Sequence, residues 1–449
     1  MNGSPHIRYR LTWVLLVLHL MTIPFTKVLY WPGWEYAIQL PELLFVPFAL
    51  LVLSQPKLRR ALWRRAWNGL DYGVLALLVT SGLAFSLRCG QASPKSLFAL
   101  GYLVTFYFFS STLIGLEREK TVRASGPMLR LFSSLLIVTT LGSYLWWSWS
   151  ADLPYELVEP KYLPGLGTVG RVEAFTLSPN MLHNLIQLAL FLLAGQLLFP
   201  SVHSARGRRW PWLISGLLLI SAILTFSKSF LLTLAGLLLI LAVRWPRIAT
   251  LRIGSRLLAL GLAVVFLFSS KILLLPVDGV DRSEVMSQTY TTGAVLWENE
   301  HWQALETTHL RLNRIAWQAW REAPLAGIGA GRFPAYLAEA RAKGQYPQDL
   351  PVYGPHSTYF GWLAENGLLG LSGGILFLIA LIRLLKKGWK EGGMLLGASV
   401  YLLIWCVEGW AMSTLHFRQF WWVVAVTGLL SRDHCTSTST SKGRFSCQS

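Results

Sequence analysis

Twelve apolar runs, separated by short segments rich in lysine and arginine, fix what this chain can fold into. They lie near residues 11–29, 36–53, 71–87, 96–115, 128–149, 176–199, 211–226, 229–243, 255–275, 357–382, 393–411 and 418–431. A bilayer core of about 30 Å takes about 20 apolar residues of helix, and within it the backbone must satisfy its own N–H and C=O groups. The expected fold class is therefore an all-α polytopic membrane protein with about 12 transmembrane helices. Composition agrees: 53% of the 449 residues are hydrophobic, 14% are charged and the mean hydropathy is +0.46. That is too apolar for a soluble domain of this size.

The basic residues set the orientation. Residues 211–243 overshoot one crossing at about 1.5 Å per residue, and arginines precede and follow them (Arg206, Arg208 and Arg209; Arg244, Arg247 and Arg252). Both ends should then face the cytoplasm, so the stretch reads as a hairpin broken at TFSKSF, with Lys228 at its outer tip. Counting on this basis, 25 of the 40 lysines and arginines fall on the cytoplasmic side, and both termini are expected there. Arg8 and Arg10 before the first run resemble a signal peptide, but no small-residue cleavage site follows, so the run reads as an uncleaved span. The net charge of +18 lies in these loops and points to membrane orientation, not to nucleic acid. Cys89, Cys406, Cys435 and Cys447 show no paired spacing and suggest neither a disulfide framework nor a zinc site.

The expected organisation is transmembrane helices 1–9 in residues 1–275, a large outer loop in 276–356, helices 10–12 in 357–431 and a disordered cytoplasmic tail in 432–449. The outer loop is the one long polar segment and is dense in arginine and histidine. Within it Arg311, Arg314, Gln318 and Arg321 recur at helical spacing, opposite Leu312, Ile315, Ala316, Ala319 and Ala323. This predicts an amphipathic helix with an apolar face pressed inward and a cationic face left open, ended by Pro324. A glycine-rich turn, GIGAGRF with Arg332, follows.

The cations expected on the outer face are Arg171, Lys228, Arg311, Arg314, Arg321, Arg332 and Arg418. A stripe of arginines alone is equally a solvated interfacial face, and Lys228 alone could snorkel at a hairpin tip. Their convergence at membrane level suits a lipid carrying a phosphate or diphosphate, because guanidinium grips phosphate oxygens in a fork and keeps its charge. His356 sits after Gly354 and Pro355, before a helix that Ser357 or Thr358 can cap. A neutral imidazole there can take a proton from a sugar hydroxyl; the plainer reading is a histidine that holds the loop. His416 is a weaker candidate, and His301 and His309 have no distinguishing context. The run Asp278, Asp281, Glu284 reads as solvated surface rather than a metal site, and the first outer loop, YWPGWE, offers only Glu35. No metal and no cofactor are expected.

Four motifs in order carry a family resemblance: RVEAFTLSPN at 171–180, TFSKS at 225–229, an R-x-x-W-x6-PLAGIGAG pattern at 314–331 and PHSTYF-x-x-LAENGLLG at 355–370. With the twelve-run layout, these resemble the bacterial O-antigen ligase and polymerase superfamily. The resemblance implies a membrane glycosyltransferase of the GT-C type, acting at the periplasmic face of the inner membrane by inversion. It implies transfer of O-antigen from undecaprenyl diphosphate to the lipid A core oligosaccharide of lipopolysaccharide. His356 matches the family's general base, and Arg311 or Arg314 its loop arginine. Arg171, Lys228, Arg321 and Arg332 are the expected diphosphate contacts. Lys228 departs from the family's usual arginine and offers charge without the fork. An O-antigen polymerase and a protein oligosaccharyltransferase share this chemistry. A lipid-linked glycan flippase is the alternative from another class, although ion coupling favours intramembrane carboxylates, for which Glu42, Glu408 and Asp71 are the candidates, and the cations gather on one face.

Overall fold

The computed structural model describes residues 5–27, 39–90, 92–149, 157–163, 167–199, 209–244, 248–277 and 291–430. The helices before the first sheet are α1 (Pro5–Thr22), α2 (Leu40–Ser54), α3 (Pro56–Trp63), α4 (Gly69–Leu87), α5 (Pro94–Leu116) and α6 (Arg118–Trp149). A hairpin of β1 (Val158–Leu163) and β2 (Gly167–Val172) leads to α7 (Pro179–Leu198), α8 (Arg209–Leu224), α9 (Phe230–Arg244) and α10 (Ala249–Ser269). Next come β3 (Ile272–Pro276), β4 (Thr291–Glu298), β5 (Trp302–Thr307), α11 (Thr308–Glu322) and α12 (Phe333–Ala342). The chain closes with α13 (Thr358–Glu391), α14 (Gly393–Glu408) and α15 (Arg418–Leu430).

Every one of the twelve apolar runs carries a helix. By length and composition, six helices among the described residues could cross a membrane: α4, α5, α6, α7, α10 and α13. A seventh is obtained if α2 and α3, bent by 87°, form one span. The bend falls at Gln55, which Pro56 forces into extended backbone. Helices α8, α9 and α14 are apolar but shorter. The protein is thus mostly helical and multi-pass, with six or seven crossings, not twelve, meeting the length requirement.

Two small antiparallel sheets correct the all-α expectation. The first is the β1–β2 hairpin; the second has the order β3-β5-β4. The run ending near 275 read as one helix, yet α10 stops at Ser269 and ILLLP pairs with β5, Ile272 opposite Glu306 and Pro276 opposite Trp302. A short apolar run has no period that separates buried strand from helix end. Leu275 and Leu305 are fully buried where β3 meets β5.

Helix α7 is the centre of the bundle, buried along nearly its whole length. Gly397 of α14 lets the two helices approach closely; a Cβ there would lie 2.1 Å from Phe191 O, the small-residue packing favoured between helices in lipid. The TFSKSF break behaves as expected. Helices α8 and α9 both pack on α7, and α9 runs beside α7 in the same direction, from the Thr233–His183 bond to Gly236 against Phe191. A buried polar cluster ties this region together. Asn184 donates to Glu408 at 2.6 Å and accepts from Tyr401 at 2.5 Å and Gln419 at 3.0 Å. His183 bridges Thr225 and Thr233 at 2.9 Å each. Bonds of this kind offset the heavy cost of burying polar groups.

Helix α13 is broken at Gly367 (φ 62°, ψ −157°), and the PLAGIGAG segment fills the break. Ile328 N–H and Gly329 N–H donate to the carbonyls of Ala364 and Glu365, while Leu368 and Leu369 N–H donate to those of Pro324 and Leu325. The Glu365 carboxylate accepts from Phe333 N–H at 3.2 Å. Two motifs far apart in sequence are therefore halves of one device: each satisfies backbone groups that the other leaves open.

Candidate active site

His356 lies in the turn before α13, at the end of the bundle that carries the second sheet. Ser357 is the helix cap: its Oγ accepts from Phe360 N–H at 3.4 Å and donates to Gly409 O at 3.2 Å. Thr358 N–H donates to Gly409 O at 2.7 Å, and Thr358 Oγ1 donates to Met412 O at 3.1 Å. The turn is thus pinned to the segment joining α14 and α15. His356 itself has φ of +45°, left-handed backbone costing about 1–2 kcal/mol for a residue other than glycine. Strain of this kind persists where the surroundings over-determine it, commonly at functional sites. Among the described residues no side-chain hydrogen bond engages its imidazole. Burial and then the Lys271 charge lower its pKa to about 4, so the ring is neutral at physiological pH and has a lone pair to offer.

Its neighbours come from three elements. The His309 ring, at the start of α11, packs at 4.7 Å between centroids, and Tyr353 meets His356 edge-on at 5.2 Å. His309 Nδ1 lies 3.0 Å from Ala411 O; a carbonyl only accepts, so Nδ1 carries the proton. Burial and the charges of His356, Lys271 and Lys228 hold the His309 pKa well below the ordinary range. Asn313, one turn along α11, joins these pieces. With its amide assigned in the orientation that satisfies its neighbours, the nitrogen donates to Pro355 O at 3.1 Å and His309 O at 3.3 Å, and the oxygen accepts from Lys271 Nζ at 2.6 Å.

A group of cations adjoins this pair of histidines. Lys228 is exposed at the tip between α8 and α9, and its ammonium donates to Ser269 O at the end of α10. Desolvation by the surrounding protein and the Arg171 charge draw its pKa below the ordinary lysine value. Arg171, on β2, is buried: it pairs with Glu159 at 3.1 Å and donates to Thr225 O and Asn180 Oδ1 at 3.4 Å each. Asn180 also accepts from Ser227 Oγ at 2.8 Å. Arg171 therefore clamps the SPN segment to the TFSKS turn and fixes the stem below Lys228. Lys161, on β1, is lowered to about 8, chiefly by burial, with Arg171 and Lys228 adding repulsion.

The arginine stripe is placed differently from expectation. The apolar face of α11 is buried as anticipated, through Leu312, Ile315, Ala316 and Ala319. The cationic face is partly engaged, because Glu306 of β5, with a fully buried side chain, pairs with Arg311 at 2.6 Å and with the still exposed Arg314 at 2.8 Å. Thr292 supplies a further hydroxyl to Glu306 at 3.0 Å. Arg321 is exposed in the last turn of α11, about 18 Å along the helix from His309 at 1.5 Å per residue. Arg332 caps α12 and lies 3.7 Å from Glu339. The adjoining Gly331 packs on Ser93 and Ser96 of the α5 entrance. The structure thus sets Arg171 beneath Lys228 and places Arg311 and Arg314 on Glu306 in the first turns of the helix that begins beside His356, while Arg321 lies in the last turn of that helix and Arg332 beside Glu339.

Arg418 is paired with Glu42 across α15 and α2, and His416 is exposed beside Phe417 at 4.8 Å. Glu35, the Asp278, Asp281 and Glu284 run, and the 432–449 tail lie outside the described residues. Sequence reasoning missed Lys161, Lys271, Glu306 and His309. Lys271 carried a readable signal, since it interrupts FLFSSKILLLP just as Lys228 interrupts its own apolar hairpin.

A neutral imidazole with a free lone pair, beside clustered ammonium and guanidinium groups, can accept a proton while the cations stabilise a departing anion. No curated protein matches the chain. Residues 213–375, from α8 through the break in α13, match the family model described as O-antigen ligase. That stretch holds Lys228, Lys271, Glu306, His309, Arg311, Arg314 and His356, and over it the chain is similar to the O-antigen ligase family.

Proposed function

We propose that this protein is an O-antigen ligase. It transfers O-antigen polysaccharide from undecaprenyl diphosphate to the lipid A core oligosaccharide, by metal-independent, inverting displacement. The observation that carries this reading is His356, neutral and without a side-chain hydrogen-bond partner among the described residues, at the edge of the lysine and arginine group. On this reading the sheet end of the bundle faces the periplasm. The chain crosses the inner membrane twelve times, with short helices completing the count and both termini cytoplasmic, in a fold of the GT-C type.

His356 removes the proton from an acceptor sugar hydroxyl as that oxygen attacks the anomeric carbon. The bond from the anomeric carbon to the phosphate oxygen breaks on the opposite face, and the electron pair leaves with the diphosphate. A single displacement inverts the configuration. Lys228 meets the growing negative charge, Arg171 holds the turn that presents it, and Arg311 and Arg314 contribute one net positive charge after Glu306. A preorganised donor of this kind is worth about a hundredfold or more in rate. Apolar helix faces open to lipid, such as Leu257, Leu260 and Phe268 of α10, leave room for a polyprenyl tail.

The test is transfer with purified full-length protein, an undecaprenyl-diphosphate-linked glycan and lipid A core, with and without chelator. Glycan on lipid A core despite chelator supports the reading. Elongated lipid-linked glycan instead makes the protein a polymerase, and absence of transfer to either acceptor overturns both.

A further inference from the structure

We infer that Lys271 is a further anion-binding residue of this site, and that the group which neutralises it is a phosphate of the lipid diphosphate donor. The inference rests on the transfer reaction proposed above and adds to it a cation that belongs to neither the arginine stripe nor the hairpin tip.

Lys271 follows the end of α10 and is only 7% exposed. Its ammonium donates to Trp410 O at 3.0 Å and to Asn313 Oδ1 at 2.6 Å, and it lies 5.8 Å from the centroid of the Trp410 ring. These partners are all uncharged. Two of three N–H donors are used and the third remains.

Five other part-buried bases each have a carboxylate: Arg65 has Asp71, Lys27 has Glu173, Arg171 has Glu159, Arg311 has Glu306 and Arg418 has Glu42. Lys271 breaks that pattern. Among the described residues no carboxylate lies within ion-pair distance of it. A buried ammonium without a counter-charge is strongly disfavoured, and at membrane depth such groups mark substrate or ion sites. Burial accordingly draws its pKa down to about 7, and an approaching phosphate reverses that shift by favouring the charged form.

Its position selects the anion. The Lys271 charge acts on both His356 and His309, so whatever it binds sits beside the proton acceptor. Lys228 is held on Ser269 O, two residues before Lys271, so both lysines are tied to the same helix end. A diphosphate offers one phosphate to each. Helix α10 exposes Leu257, Leu260 and Phe268, a face open to the lipid that a membrane-anchored diphosphate brings with it.

The experiment uses full-length protein in nanodiscs. Undecaprenyl diphosphate and, separately, inorganic diphosphate are titrated into wild type, Lys271→Gln, which keeps hydrogen-bond donors without charge, and Lys271→Met. Melting temperatures are recorded alongside. The inference expects undecaprenyl diphosphate to bind both variants at least about tenfold more weakly at unchanged stoichiometry, and Lys271→Arg to recover most of the loss. Parallel weakening of inorganic diphosphate supports recognition of the phosphate head alone. Binding of the lipid form only supports recognition of head and tail together. Equal affinity of wild type and a folded variant for undecaprenyl diphosphate overturns the inference. If wild type itself does not bind undecaprenyl diphosphate, the transfer reading fails first, and the two failures are distinct.

Discussion

The imidazoles of His309 and His356 lie 4.7 Å apart between centroids with 34° between their planes. His309 is anchored by its Nδ1–H to Ala411 O at 3.0 Å, so it forms a fixed wall for a ring that the described residues hold by no side-chain hydrogen bond. The strained turn at His356 is thereby held from two sides: by the Ser357 cap below and by His309 beside it.

His309→Ala removes that wall and is expected to lower kcat about tenfold to a hundredfold with little change in donor affinity, since misplacement by about 1 Å can cost about a hundredfold. His309→Phe restores the packing and should recover part of the rate. Steady-state kinetics with varied donor separate the two terms.

The histidine pair should contribute a loss of stability on acidification. His356 titrates at about 4 in the folded chain against 6.5 unperturbed, and His309 is shifted the same way. Between these values the unfolded chain binds protons at these histidines that the folded chain does not, so their contribution to stability falls as pH drops from about 6.5 toward 4, and stability is insensitive to them above. A melting series across that window checks the slope, and His356→Gln should flatten it.

Glu306 holds two arginines with one buried carboxylate. Glu306→Gln keeps the shape, removes the charge and frees both guanidiniums. The expected destabilisation is about 1–3 kcal/mol, seen as a lower melting temperature. Arg314→Ala should cost less, because that side chain is 57% exposed.

Gly367→Ala tests the break in α13. A Cβ at this position would lie 2.4 Å from Leu325 O, on backbone with φ of +62°. Strain and overpacking together should cost at least about 3 kcal/mol and prevent the PLAGIGAG segment from docking. Loss of folded protein on size-exclusion chromatography is the readout, with Gly344→Ala, likewise at positive φ (+72°) but with open space around it, as the control for backbone strain alone.

The helices were legible because lipid leaves the backbone few alternatives, and the 225–229 break followed from length and flanking charge. The strands were not, since ILLLP carries no period and continues an apolar run. The apolar face of α11 was readable from spacing, but its pairing with Glu306 was not, because β5 contributes that carboxylate through tertiary contact. Lys271 was legible in principle by the argument applied to Lys228. His309 was not, because its meaning depends on a ring brought 47 residues along the chain. The roles of GIGAGRF and LAENGLLG emerged only when the break at Gly367 showed each supplying the hydrogen bonds that the other lacks.

The most direct test of the central claim is the rate of glycan transfer by His356→Ala, measured by single turnover at saturating donor with chelator present. The account predicts a loss of about a hundredfold to ten-thousandfold, with undecaprenyl-diphosphate binding retained. Transfer at the wild-type rate by folded His356→Ala would contradict it.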